Sequence, residues 1–144
     1  MIYTPLTKKA MKLLYEKQGA QRDKSGLPYV FHPFHVAEQM TDEYTTAAAL
    51  LHDLVEDTDT TFEELADCGF PEEVIDSLRL LTHPEGVDYF DYVRRLSGNA
   101  VARRVKIADL KHNMDLTRLD VITEKDLKRR AKYEKALELL EAQG

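Results

Sequence analysis

The chain has 144 residues, 43% of them hydrophobic, with six glycines, five prolines and a formal net charge of −6 at pH 7. That length supports one hydrophobic core and a single domain over 1–144, while the acidic balance excludes generic binding to nucleic acid or to an anionic membrane, both of which need cationic surface. The lone cysteine, Cys68, excludes an intrachain disulfide, and no run approaches the roughly 20 apolar residues of a membrane span, so the expected location is the cytoplasm.

Thr4-Pro5 reads as an N-cap followed by proline at the first helical position, and Leu6, Ala10, Leu13 and Leu14 then give one apolar stripe to about Gly19. Gln21 to Pro28 is a polar turn rich in helix-breaking residues. Tyr29-Val30-Phe31 carries His32 to a second helix, predicted from Pro33 to about Met40. Thr41-Asp42 caps a third, predicted to run through the apolar stretch Ala47 to Leu51 and on through His52, Asp53, Glu56 and Asp57 to Thr58. Thr61 and Glu64 form a capping box for a short helix that Gly69 stops. Further helices are predicted over Pro71 to Leu81, over Asp88 to Leu96 and from Asn99 to about Asp115. Thr123 opens the last, a charged cover with a Leu127, Ala131, Ala136, Leu137, Leu140 stripe. No segment alternates with period two for long, so the fold class is all-α, a compact helical bundle of seven to nine helices.

The third helix carries the chemistry. Charges taken out of water need a partner or a metal, and four strongly polar side chains follow directly on an apolar run. Helical spacing places Glu56 over His52 and Asp53, and Asp57 over Asp53. Asp109 and Asn113, at i and i+4 after another apolar run, repeat the pattern. His32, His52, Asp53 and Asp109, from three helices, can therefore meet at one ion; two imidazoles and two carboxylates suit Mn²⁺, Fe²⁺ or a related metal. The blander readings are a solvated helix end for His52 to Asp57, a hydrogen-bonded core histidine for His32, a salt-bridge partner for Asp109 and a capping amide for Asn113. His35 reads as a surface residue or a support for His32, and His83 and His112 are left outside the site, His112 because it is expected to face away from Asp109 and Asn113. Arg94, Arg95, Arg103, Arg104 and Lys106 read mainly as a solvated face.

Three blocks in order, Lys24-Ser25-Gly26-Leu27-Pro28-Tyr29-Val30-Phe31-His32-Pro33, Ala49-Leu50-Leu51-His52-Asp53-Leu54-Val55-Glu56-Asp57-Thr58 and Lys106-Ile107-Ala108-Asp109-Leu110-Lys111-His112-Asn113-Met114, resemble the H…HD…D signature of the HD superfamily of metal-dependent phosphohydrolases. Within it the chain is similar to the hydrolase domain of the RelA/SpoT homologues, and, with no synthetase segment after Gly144, to their small hydrolase-only members. The resemblance implies an HD-domain bundle that removes the 3′-pyrophosphate of (p)ppGpp. It implies His32, His52, Asp53 and Asp109 as Mn²⁺ ligands, and Glu56 and Asp57 as the catalytic pair that handles water or the leaving group. It also implies Lys24, Ser25, Tyr29 and Asn113 as substrate-binding residues. The partner is thus a small nucleotide, with no nucleic acid and no membrane; oligomeric state is left open. Three positions depart from the family pattern: Asp23 stands where arginine often precedes the lysine, Leu110 follows Asp109 in place of arginine, and Leu116 replaces a threonine. A carboxylate at Asp23 on the pocket wall is expected to repel a polyanionic nucleotide, so that either Asp23 turns outward or the substrate differs, and arginine there is expected to bind it better. The rival readings are an HD phosphohydrolase for another phosphorylated nucleotide or cofactor, and a non-catalytic nucleotide-binding module, which the Glu56-Asp57 pair disfavours.

Overall fold

A computed structural model describes residues 1–142 and contains nine α-helices among them: α1 (Pro5–Gln18), α2 (Phe31–Glu38), α3 (Glu43–Leu51), α4 (Leu54–Asp57), α5 (Phe62–Asp67), α6 (Glu72–Leu81), α7 (Tyr89–Ser97), α8 (Ala100–Asn113) and α9 (Glu124–Glu141). A single 3₁₀ turn spans Leu116–Arg118, and the one extended feature among the described residues is an isolated bridge between Arg22 and Pro28. The all-α expectation holds.

α3 is the axis. Residues Thr45 to Leu51 are all buried, and the helix packs against α1, α2, α6 and α8. Ala47, Ala48 and Ala49 make this possible, because side chains of one carbon let neighbouring backbones approach, while Leu50 and Leu51 fill the space beyond. Each of those leucines contributes roughly 1.5–3 kcal/mol of apolar burial. The caps read from the sequence form as hydrogen bonds: Thr4 with Thr7, Asp42 with Thr45 N, Asn99 with Ala102 N, and Thr123 with Asp126; Asp88, expected as the first residue of a helix, instead caps it by accepting from Phe90 N and Asp91 N. Thr61 accepts from Glu64 N, but the reciprocal half of that capping box is not formed.

The structure corrects four expectations. The helix expected to run from Asp42 to Thr58 is broken: His52 ends α3 and Asp53, at φ −103° and ψ −1°, begins the single turn of α4. Hydrophobic periodicity continues across the break through Leu54, so the pattern gave no sign of it. α2 starts at Phe31 rather than Pro33, which places the proline in the first turn, where its missing N–H costs nothing. On α9, Leu127 is 44% exposed and Ala131 is exposed; the covering face is Tyr133, Ala136, Leu137 and Leu140. His112 does not face away from the site, as shown below.

Candidate metal centre

Three elements deliver the ligating groups. His32 projects from the first turn of α2, His52 and Asp53 from the α3–α4 junction, and Asp109 from α8. One nitrogen or oxygen from each of the four lies within 4.8 Å of all the others. His32 Nε2 is 2.9 Å from Asp109 Oδ1, and His52 Nε2 is 3.1 Å from Asp53 Oδ2 and 3.3 Å from Asp109 Oδ1. His32, His52 and Asp109 are buried, and Asp53 is partly so.

The tautomer of His52 decides what this cluster needs. Its Nδ1 lies 2.6 Å from the carbonyl oxygen of Ala49, which can only accept, so Nδ1 carries the proton. Nε2 is buried and makes no hydrogen bond, although two carboxylate oxygens stand beside it. Its lone pair and two anionic oxygens therefore converge on one volume, which is stable only with a positive charge among them. The electrostatics say the same: burial lowers the pKa of His52, but Asp53 and Asp109 outweigh it and hold it well above its ordinary value. Burial likewise raises Asp53 and Asp109, yet His52 pulls the first below the usual carboxylate range and Lys106 with His52 pulls the second well below it. A divalent cation would supply that charge, and two imidazoles with two carboxylates fit one.

The supporting groups are specific. Lys106, one turn before Asp109, places Nζ 3.0 Å from Asp109 Oδ2, and Asn113, one turn after it, donates Nδ2 to Asp109 Oδ1 at 2.9 Å. Tyr29 donates its hydroxyl to Asp53 Oδ2. Burial first and Asp53 second push the Tyr29 phenol far above its ordinary value, so it stays a donor. Tyr29 and Asn113 thus touch ligands of the candidate centre as well as lining the cleft beside it.

Two clefts flank the quartet. One, of about 370 Å³, reaches His32, Asp53, Tyr29 and Asn113 and is walled by Arg22, Lys24, Arg118, Arg129 and Arg130. The other, of about 330 Å³, reaches His52, Asp53 and Asp109 and includes Glu56, Lys106 and Lys132. Glu56 Oε1 accepts the backbone N–H of His83 at 2.5 Å, which fixes the carboxylate on the wall of this second cleft. Asp57 is exposed at the end of α4 and lines neither cleft; burial and then the charges of Asp53 and Glu56 raise its pKa.

Lys24 and Ser25 lie where the first cleft meets the loop after α1. Ser25 Oγ donates to Arg118 O at 2.9 Å, and Lys24 Nζ is 3.7 Å from Asp126 Oδ1, so this loop is tied to the 3₁₀ turn and to α9. Asp23 lines the first cleft, and its Oδ1 also accepts from Ser25 N at 2.9 Å and Leu27 N at 3.0 Å, which turns the loop.

Several site residues escaped the sequence reading. Lys106, read as part of a solvated face, is a buried counter-ion of Asp109, and His112 sits 2.7 Å from His32 through their Nδ1 atoms. Both are three residues from Asp109, spacing that puts them on its side of α8. Arg129 and Arg130 were taken for cover, although they stand one turn from Asp126 and Tyr133 on the face that closes the first cleft. Arg118 had no local signal, since a 3₁₀ turn carries no periodicity.

No protein-family model matches the chain. A guanosine-3′,5′-bis(diphosphate) 3′-pyrophosphohydrolase of Aquifex aeolicus is 46% identical over 63 residues, 41% of this chain and 9% of that protein. The corresponding MESH1 enzyme of Danio rerio is 38% identical over 117 residues, 72% of this chain and 64% of that one. A solved structure of a metazoan ortholog of SpoT, described as hydrolysing ppGpp, matches with a TM-score of 0.73 at 27% identity, over 99% of this chain and 87% of that one. The chain is thus similar, in sequence and in fold, to RelA/SpoT-type hydrolase domains. A GTP pyrophosphokinase of Brucella ovis matches at 36% identity over 76% of this chain, which spans 16% of that protein's length. The chain therefore spans between 9% and 64% of the length of these sequence relatives. No described helix is long and apolar enough to cross a membrane.

Proposed function

We propose that this chain hydrolyses the 3′-pyrophosphate of ppGpp and pppGpp, giving GDP or GTP and pyrophosphate, with Mn²⁺ as the resident ion. The observation that carries the reading is the convergence of His32, His52, Asp53 and Asp109 on one volume, opening on both sides into clefts of nucleotide-fragment size. A divalent ion in that volume would acidify a water molecule and polarise a phosphoryl oxygen. Glu56, held by His83 N on the wall of the second cleft, would orient the attacking water and take its proton, with Asp57, the other acid of the pair, exposed at the end of α4. The first cleft carries Arg22, Lys24, Arg118, Arg129 and Arg130 beside Asp23, Asp115 and Asp126, and its arginines would meet the nucleotide's phosphates. Tyr29 and Asn113 orient Asp53 and Asp109 and present the remaining face of each side chain to the substrate. A cytoplasmic setting belongs to the same proposal and rests on the single free cysteine.

A second reading keeps the reaction and changes the base. Leu116 lines the first cleft at the position where the family pattern has threonine, which removes a hydroxyl from its wall and favours another phosphorylated nucleotide. Incubation with Mn²⁺ and ppGpp, followed by separation of products, tests both. GDP with pyrophosphate supports the first; intact ppGpp beside cleavage of a different nucleotide supports the second.

A further inference from the structure

Three imidazoles form a short chain that starts at the candidate metal centre, His32 and His112 meeting edge to edge and His35 lying on the face of His112. The rings of His32 and His112 are parallel within 3°, centroids 5.0 Å apart, and His112 stacks on the exposed His35 at 4.0 Å and 21°. The polar contact within the trio is between Nδ1 of His32 and Nδ1 of His112, at 2.7 Å. Two neutral imidazoles at that distance place a single proton on the shared line, so one ring donates and the other accepts.

Only one choice leaves His32 able to bind a cation. With His112 as donor, His32 carries its proton on Nε2 and gives it to Asp109 Oδ1, 2.9 Å away. With His32 as donor, Nε2 is bare and points its lone pair at the volume shared with His52, Asp53 and Asp109. We infer that His112 is a positioning residue for the metal: it accepts the Nδ1 proton of His32 and so holds His32 in the tautomer whose Nε2 binds a divalent cation. His35 stacks on the face of His112 and braces that ring. The proton count balances. On loading, the shared proton passes from His112 Nδ1 to His32 Nδ1, the Nε2 proton of His32 leaves to solvent, and His112 Nε2 gains one from solvent. The pair stays neutral while the cation replaces the lost donor.

The inference rests on the metal centre proposed above and is independent of the nucleotide. It is tested with Mn²⁺ alone, by equilibrium dialysis against chelator-stripped protein. His112→Leu, which has no acceptor, should weaken Mn²⁺ binding by roughly 10- to 100-fold. His112→Gln, whose side-chain carbonyl can accept, should keep most of the affinity, and both variants should melt cooperatively without metal. Imidazole ¹⁵N spectra of the wild-type protein loaded with diamagnetic Zn²⁺ provide a readout that does not depend on a variant folding. They should show His32 protonated on Nδ1 and bare on Nε2. Wild-type Mn²⁺ affinity in a folded His112→Leu protein, or a bare Nδ1 on His32 in the loaded protein, would overturn the inference. Failure to cleave ppGpp alongside weakened Mn²⁺ binding in His112→Leu would sink the substrate and leave this role standing.

Discussion

His52 gives its Nδ1 proton to the carbonyl oxygen of Ala49, one turn back on α3, at 2.6 Å. That bond turns Nε2 toward the carboxylates of Asp53 and Asp109, 3.1 and 3.3 Å away. A cation in that volume stabilises the fold as well as the chemistry. At a free concentration 100 times its Kd, Mn²⁺ should add about 2.7 kcal/mol. For a chain of this size that is on the order of 10 °C in thermal midpoint. Calorimetry with and without chelator checks it, and identical midpoints would contradict it.

Glu56 holds the N–H of His83 through one carboxylate oxygen. Glutamine retains an oxygen that can accept there, so Glu56→Gln should preserve the α6–α7 loop and Mn²⁺ binding while removing the base. Turnover should fall by roughly 10²- to 10⁴-fold. Product formation and dialysis on the same sample separate the two effects.

Lys106 and Asp109 form a buried pair whose side chains are 14% and 6% exposed. Removing one partner of such a pair costs about 3–5 kcal/mol. Lys106→Met should therefore lower the denaturation midpoint of the metal-free protein, and lower that of the Mn²⁺-loaded protein less, because the ion offers Asp109 a second positive neighbour. Equal losses in the two states would mean that Asp109 does not share the ion.

Burial, then the charges of Arg118, His32 and His35, depress the pKa of His112 from 6.5 to about 4. Between these values the unfolded chain binds a proton that the folded chain refuses. The contribution is complete above pH 6.5 and is lost as pH falls toward 4. His52 acts with the opposite sign, since its raised pKa gives stability below its ordinary value that is lost as pH rises through the folded one. Denaturant titrations of metal-free protein should thus show stability falling with pH between 6.5 and 4, and less steeply in His112→Gln. Solvent screening of the half-exposed His112 keeps the effect well below its full theoretical size.

Asp23 accepts two N–H groups from its own loop. Arginine there would add a cation but remove the acceptor that turns residues 23–27 toward the cleft. Asp23→Arg should accordingly raise KM for ppGpp with little change in kcat, contrary to what charge alone suggests. Steady-state kinetics decide between the two.

The convergence of His52, Asp53 and Asp109 was legible in the sequence because buried charge is costly: His52 and Asp53 directly after Ala47 to Leu51, and Asp109 after Ile107 and Ala108, have few apolar explanations, whereas His32 joined them only through the company of the other two blocks. The caps at Thr4, Asp42, Asn99 and Thr123 were legible for a local reason, since each satisfies N–H groups within three residues. The break at His52-Asp53 was not, because it is set by where the side chains must point and not by propensity. Nor was the tie from Ser25 to Arg118, which joins loops 93 positions apart. His112 lay within reach: its spacing from Asp109 carries the same information that singled out Asn113.

The most direct test of the account is turnover of ppGpp by protein stripped with chelator and then titrated with Mn²⁺, with GDP and pyrophosphate resolved. The account predicts no cleavage in the stripped protein and equal amounts of the two products once about one equivalent of ion is bound. Undiminished cleavage by stripped protein, or release of orthophosphate in place of pyrophosphate, would contradict it.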